Sequence, residues 1–468
     1  MRARETHLSA PRSSHLDLGF LPAHSPAAIG GRQAAERRLA AIDPARYGAT
    51  RNHLEGAVTR LSPYIRHGVL SLAEVREAVF QRLRQGPEVA VAGALQGELF
   101  VAEAGPFGWS SAQKKAGEKL IAELGWRDYW QRLWHRWGDG IWYDREPLKT
   151  GHAPESYAPD LPADLAAAST GLACIDAFAV QLLETGWLHN HVRLWLAAYV
   201  VHWRRVRWQA GARWFLAHLL DGDPASNNLS WQWVASSFSH KPYVFNRANL
   251  ERFSGGRFCV GCPLADRRGP GGCPFDASYE ALQARLFQPS DPRAEAVVPA
   301  SQAPPPLPPA PGPAEPPLRR PLVWVHGEAL GSANPALRAH PGAPALFVFD
   351  TELIEGRTAT TGGAALAPGR LRFLRECLAE LPVMVREGDV ARELLAAAAA
   401  AGADGLVTSR AVDTRFARIA AQVAPTVPLR ILEPEPFVDL PWDGPLAPDL
   451  RRFSRYWRRA EPRVWGEG

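Results

Sequence analysis

The chain has no run of about 18 uncharged apolar residues, the minimum for a membrane-spanning helix, so no membrane partner is expected. Its first residues carry charges but no apolar leader, so no secretory signal is expected either. Cysteines are few. Five in 468 residues, an odd number, argue against a disulfide framework and for a reducing, cytoplasmic setting. Charge of one sign is also scarce: 53 Lys and Arg against 48 Asp and Glu permit a local nucleic-acid patch without demanding one.

What is abundant is tryptophan and proline. Seventeen tryptophans exceed what a core of this size needs, and such an excess also suits base stacking or electron hopping. Prolines concentrate in residues 289–320, a stretch that cannot fold alone and forms an extended spacer. Residues 1–30 read as an irregular lead-in and 31–288 as a helical domain. After the spacer, 321–440 form a smaller domain and 441–468 a C-terminal tail. In the smaller domain, short apolar runs at 322–325, 345–349, 383–385, 405–407 and 429–432 read as strands. Helical runs at 367–381 and 388–401 lie between them, so the pattern is α/β with a doubly wound parallel sheet. No G-x-G-x-x-G fingerprint follows its first strand.

The informative residues cluster between Thr185 and Trp233. Gly186-Trp187-Leu188-His189-Asn190-His191 and Arg193 open a helical segment, Asp221-Gly222-Asp223 follow in a loop, and Asn227, Trp231 and Trp233 come next. Amides, an arginine and two acids converging on one site suit a polar heterocycle that needs donors and acceptors together, with a carboxylate holding the arginine. Upstream, Tyr47 precedes Thr59-Arg60-Leu61-Ser62 ahead of a proline, which is either an N-cap or a helix start that cradles a phosphate. A long helix from Gln113 to Trp137 sets Glu123, Arg127 and Trp130 along one face with Trp126 beside it.

Together these runs resemble the FAD-binding helical domain of photolyases and cryptochromes. The resemblance implies a mainly α-helical FAD-binding domain of photolyase type, followed here by the α/β domain that in the family comes first, so the order looks permuted. It implies that Tyr47, Thr59, Leu61, Ser62, Arg127, Asn190, Arg193, Asp221, Asp223 and Asn227 hold FAD. Glu123, Trp126 and Trp233 would face the lesion, Trp231 and Trp208 would relay electrons, and Arg51 and Arg60 would hold the DNA backbone. The position of the family's outermost relay tryptophan is not Trp here, and Trp142 or Tyr157 would substitute for it. The family's arginine-rich segment after the first strand is also missing, so a structural role competes with binding of an antenna chromophore.

Cys259, Cys262 and Cys273 stand at C-x2-C-x10-C in a Gly- and Pro-rich loop, and Cys174 lies in a helical run upstream. Four thiolates hold either zinc or a 4Fe–4S cluster. The loop resembles that of iron–sulfur bacterial cryptochromes and photolyases, which implies a 4Fe–4S cluster on all four cysteines, with zinc as the alternative. Cys377 is left as a packed thiol.

The activity so implied is light-driven repair of cyclobutane pyrimidine dimers in UV-damaged DNA by a lyase that works as a monomer. The alternatives are a blue-light receptor without repair, a (6–4) photoproduct enzyme using His191, and an iron–sulfur DNA-binding protein without photochemistry.

Overall fold

The structure is a computed structural model that describes residues 29–85, 108–267, 271–289 and 317–466. The predicted lead-in and most of the Pro-rich spacer lie outside the described residues.

The chain begins with helices α1 (Arg32–Ala40), α2 (Pro44–Thr50), α3 (Ser62–Arg66), α4 (Leu72–Gln85) and α5 (Ser111–Trp137). There follow α6 (Ala163–Ala166), α7 (Ala173–Thr185), α8 (Asn190–Ala198), α9 (Trp208–His218), α10 (Pro224–Ala235), α11 (Arg247–Ser254) and α12 (Tyr279–Leu286). Asp43 caps α2 by accepting the amide of Arg46 at 2.9 Å, with Pro44 in the first turn. The 27-residue α5 opens on a capping box in which Ser110 and Gln113 bond each other's backbone amides. Its Gly138 end has φ 53°, a conformation that ends the helix at little cost only for glycine.

Beyond the spacer five parallel strands form one sheet: β1 (Pro321–Val325), β2 (Ala345–Asp350), β3 (Met384–Gly388), β4 (Gly405–Ser409) and β5 (Leu429–Leu432), in the order β3-β2-β1-β4-β5. Registers include Val323 opposite Ala345 and Leu322 opposite Leu406. Every residue of β1, β2 and β4 is buried, as expected of strands covered on both faces. The crossovers contain α13 (Pro335–Ala339), α14 (Thr351–Ile354), α15 (Pro368–Leu378), α16 (Val390–Ala401) and α17 (Thr414–Val423).

One face of the sheet packs on α16 and α17 through Trp324, Leu346, Leu394 and Phe416. The opposite face contributes Val323, Phe347 and Val407 to a core that continues through Phe373 of α15 into Tyr64, Leu120 and Trp134 of the helical part. The final residues return to that same core. Helix α18 (Phe453–Val464) and the segment before it pack along α5. Arg132 donates to the carbonyls of Leu440 and Pro441, Tyr129 Oη to that of Leu450, and Tyr456 Oη to Asp128, while Trp465 is buried against Phe80 and Trp109. What reads as a tail is a strap on the longest helix.

Candidate functional site

The loop Asp221-Gly222-Asp223 sits between α9 and α10, and its second acid is the N-cap of α10, accepting the amide of Ser226 at 2.7 Å. That geometry puts Asp221, Asp223 and Asn227 on one side of a cavity of about 500 Å³. Asn190, Arg193 and Leu194 line it from α8, and Glu123, Trp126, Arg127 and Trp130 from α5. Tyr47, Thr59 and Ser62 close the third side, and Trp231 and Trp233 face in from α10. Every predicted flavin residue except Leu61 therefore shares one cavity with Glu123, Trp126, Trp231 and Trp233.

Its charges are internally matched. Asp221 accepts from Arg193 Nη2 at 3.0 and 2.8 Å. Burial disfavours its ionisation, but Arg193 and the Ser62 hydroxyl outweigh that and hold its carboxyl below the usual carboxylate range. Asp223 is also buried and also held below that range, by Arg127 at 3.4 Å and Arg66 at 3.8 Å. Gln131, one turn beyond Arg127, donates to both of its oxygens at 3.1 and 3.0 Å. Glu123 differs. Although 46% of its side chain is exposed, the protein packed around it nudges its carboxyl upward, and Arg51 at 3.7 Å opposes that. Asn227 spends its Nδ2 on the carbonyl of Ala212 (3.1 Å) and on Asn228 Oδ1 (3.0 Å), which leaves the amide oxygen for the cavity.

The volume falls within the range of about 300–1,000 Å³ usual for ligand pockets, and fixed acids, arginines, an amide and hydroxyls fit a flavin nucleotide, which offers donors, acceptors and phosphates. Some expectations move. Leu61 is fully buried beneath the loop rather than lining the cavity. Arg60, at φ 52°, turns to the other side of the loop, where its guanidinium lies 4.2 Å from the Trp187 ring centroid and faces a second, separate hollow. Trp126 stacks flat on Phe453 of the strap, with centroids 3.8 Å apart and planes at 10°, so one face is already covered. His191 packs on Phe253 at 4.7 Å and does not line the cavity, whereas Asn190 and Leu194 do.

Trp208 is buried and has a polar partner. Its Nε1 donates to Asp144 at 2.6 Å, and its ring lies parallel to Trp142, 6.3 Å away at 10°. Trp142 therefore continues outward from Trp208. Tyr157 is buried with its hydroxyl bonded to Thr150, in a packing role.

Residues without a motif tie the acid loop from behind. Arg66 and Arg370 both donate to the carbonyl of Gly222 at 3.2 Å, and Arg370 also reaches the carbonyl of Leu216. Gln131 was findable, since it continues the Glu123 and Arg127 face of α5. Arg370 had no local signal.

Cys174 sits in the first turn of α7, and Cys259, Cys262 and Cys273 lie on the loop after α11. Burial pushes the Cys174 thiol up, and the charges of Cys273, Cys259 and Cys262 push it further, so the four are electrostatic neighbours. Among the described residues no three His, Cys, Asp or Glu side chains are gathered closely enough to form a metal site. The donor type fits a cluster; the side chains stand looser than ligation requires.

The FAD-binding domain of DNA photolyase, as a family model, matches residues 120–254, from α5 through α11. The deoxyribodipyrimidine photo-lyase of Streptomyces griseus is 32% identical over 184 residues, 39% of this chain and 32% of that protein. The same-named protein of Escherichia coli is 32% identical over 146 residues (28% of each chain). That of Halobacterium salinarum is 28% identical over 253 residues, 51% of this chain and 46% of that one. The chain thus spans less than half the length of these relatives. Among solved structures, a class III photolyase from Agrobacterium tumefaciens aligns at 21% identity and a TM-score of 0.40, covering 55% of this chain and 54% of that one. A Synechocystis cryptochrome aligns at 20% and 0.39, covering 55% and 51%. The matched segment comprises most of the helices that build the cavity, so residues 120–254 form an FAD-binding domain of the DNA-photolyase type.

Proposed function

We propose that this protein repairs cyclobutane pyrimidine dimers in UV-damaged DNA, using light absorbed by reduced FAD. The observation that carries the reading is the shared cavity. The acids, arginine and amides suited to a flavin and the aromatic and acidic residues suited to a flipped base line the same 500 Å³ space. The chemistry supplied by bound, reduced FAD is photon-driven transfer of one electron to the dimer and its recovery after ring splitting.

The protein's part is placement and electrostatics. Asp221 fixes Arg193, and Asp223 fixes Arg127, so two guanidinium groups stand ready beside an anionic flavin. The free amide oxygen of Asn227 accepts a hydrogen bond, which suits the ring N–H that a flavin carries when reduced. Trp233, 39% exposed at the rim, and the uncovered edge of Trp126 offer aromatic surface to bases leaving the helix. Glu123, partly exposed on the cavity wall, is placed to hydrogen-bond the edge of a pyrimidine. Trp231, Trp208 and Trp142 form the path by which the flavin is re-reduced. Cys174 of α7 and Cys259, Cys262 and Cys273 of the loop after α11 would hold a 4Fe–4S cluster, which would pin that loop to α7; four sulfur donors suit such a cluster. The order of the two parts is a permutation of the family's.

The test is a repair assay without oxygen. The reduced protein is given a dimer-containing oligonucleotide under blue light, and intact pyrimidines are measured. Light-dependent restoration, reduced in Glu123→Gln and Trp233→Ala, is expected. Photoreduction of bound FAD with no dimer split overturns the repair reading in favour of light sensing.

A further inference from the structure

Between Asp449 and Arg463 stand six arginines and two acids, a surplus of four positive charges in a protein whose whole formal surplus is five. These residues belong to the strap, and its helix divides them cleanly. Phe453, Tyr456, Trp457, Ala460 and Val464 follow helical spacing on the side that meets α5. The fit there is close: a Cβ on Gly125 would fall 2.1 Å from the Trp457 ring. Arg455 and Arg458 recur at i and i+3 on the other side, and Arg451 lies just ahead of the helix; all three are exposed.

The N-terminal end of this helix is at the mouth of the cavity. Phe453 stacks on Trp126, a wall of that cavity, and Arg452 Nη1 lies 2.8 Å from His240 Nε2, in the loop that follows the exposed Trp233. Asp449 pairs with Arg451 at 2.6 Å and Arg455 at 2.9 Å, but these are exposed ion pairs of little net strength. A phosphate can replace such a partner. A row of guanidinium groups, each able to bind a phosphate through a planar fork, running outward from a cavity mouth matches a polyanion of regular charge spacing.

We infer that Arg451, just ahead of α18, together with Arg455 and Arg458 on its exposed face, forms a nucleic-acid docking surface that binds the sugar–phosphate backbone flanking the nucleotide that enters the cavity. This rests on the proposed function, in which the cavity receives a base from DNA. The arginines grip phosphate, so they position the strand without reading its sequence. The aromatic side of the helix holds the phosphate-binding side in register with Trp126.

The experiment uses the full-length protein and the triple variant Arg451→Gln, Arg455→Gln, Arg458→Gln. Fluorescence anisotropy measures binding to a labelled duplex with one cyclobutane dimer and to its undamaged counterpart, between about 50 and about 200 mM salt. The expected result is weaker binding of the variant to both duplexes, with a salt slope shallower by about 0.9 for each phosphate that the variant no longer neutralises. FAD content and the circular dichroism spectrum stay those of the wild type, because the three side chains are exposed and away from the cavity. Wild-type binding with an unchanged slope in the variant overturns the α18 assignment alone. No duplex binding by the wild type overturns the repair reading as well. Binding to vesicles of anionic phospholipid in place of duplex gives the helix a membrane partner and also overturns the assignment.

Discussion

Replacing Asp221 with Asn removes one charge from the floor of the cavity while nearly preserving shape. Asp221 receives Arg193 Nη2 at 2.8 Å and is itself 6% exposed in its side chain, whereas Arg193 is 25% exposed. At an effective dielectric constant of about 20, the attraction across that distance is about 6 kcal/mol before screening. The partial exposure of Arg193 and the one oxygen that Asn retains reduce the loss to about 2–4 kcal/mol, in line with the cost of breaking a mostly buried pair. The loss has two readouts. Denaturant unfolding of the FAD-free protein should shift to lower midpoint, and FAD affinity, measured by fluorescence on titration, should fall at least about tenfold, equivalent to about 1.4 kcal/mol. Asp221→Glu, which keeps the charge but not the reach, should lose affinity with a smaller loss of stability. An Asp221→Asn protein that binds FAD as tightly as the wild type would refute the placement of the Asp221–Arg193 pair at the flavin.

Trp208→Phe should abolish most flavin photoreduction under anaerobic blue light with an external reductant, and Trp142→Phe should slow it, with FAD content unchanged in both; equal rates in all three proteins would remove these residues from the relay. Cys174→Ser should lower the iron and acid-labile sulfide content of anaerobically purified protein and its resistance to denaturant, and bound zinc with no iron would reassign the metal. Stability should also fall on mild acidification. His202 is buried, donates from Nε2 to the carbonyl of Val234 and has no partner at Nδ1, and burial pushes its pKa down to about 4. The folded state refuses a proton that the unfolded state accepts below about 6.5, so this contribution is intact above that pH and is lost as pH falls toward 4, at about 1.4 kcal/mol per pH unit. His189, also pushed down to about 4 by burial, acts in the same direction, and an unchanged denaturation midpoint between pH 7 and pH 5 would contradict both.

The features legible in the sequence were those with a local signature. Four of the five strands came within a residue or two of their observed ends, because strands buried on both faces are continuous apolar runs. β3 ends later than its apolar run, at Gly388, because it is an edge strand with exposed Met384 and Val385 and finishes on the polar Arg386 and Glu387. Along α5 the spacing of Glu123, Arg127 and Trp130 placed all three correctly on the cavity. Alternation within a loop has no such rule. Thr59 and Ser62 face the cavity while Arg60 and Leu61 do not, because the positive φ at Arg60 turns its side chain away. The role of Phe453 was illegible for a different reason: its stacking on Trp126 joins residues more than 300 positions apart, and nothing near either of them marks the pairing.

The same long-range packing bears on what the sheet does. At the carboxyl ends of its strands the cavity next to the helical part measures only about 130 Å³ and is bordered by Arg66, Glu328 and Arg370. That is below the range of ligand-sized pockets of about 300–1,000 Å³. Those side chains are engaged elsewhere: Arg66 pairs with Glu328 across the boundary, and Arg370 of α15 reaches back to the carbonyls of Leu216 and Gly222. His67 spans the same boundary, with its ring nitrogens 2.8 Å from the carbonyl of Gly327 and 3.0 Å from that of Leu220. The sheet side thus grips the backbone between Leu216 and Gly222 directly through Arg370, and indirectly through Arg66 and His67. That backbone carries Asp221 and leads into the cap of α10. Buried carbonyls left without donors cost about 1–3 kcal/mol each, and undocking the sheet would take the Arg370 donors from the carbonyls of Leu216 and Gly222, so the docked sheet steadies the loop. A structural role therefore follows from geometry alone: the sheet is the rear wall of the acid loop, wherever in the chain order it stands.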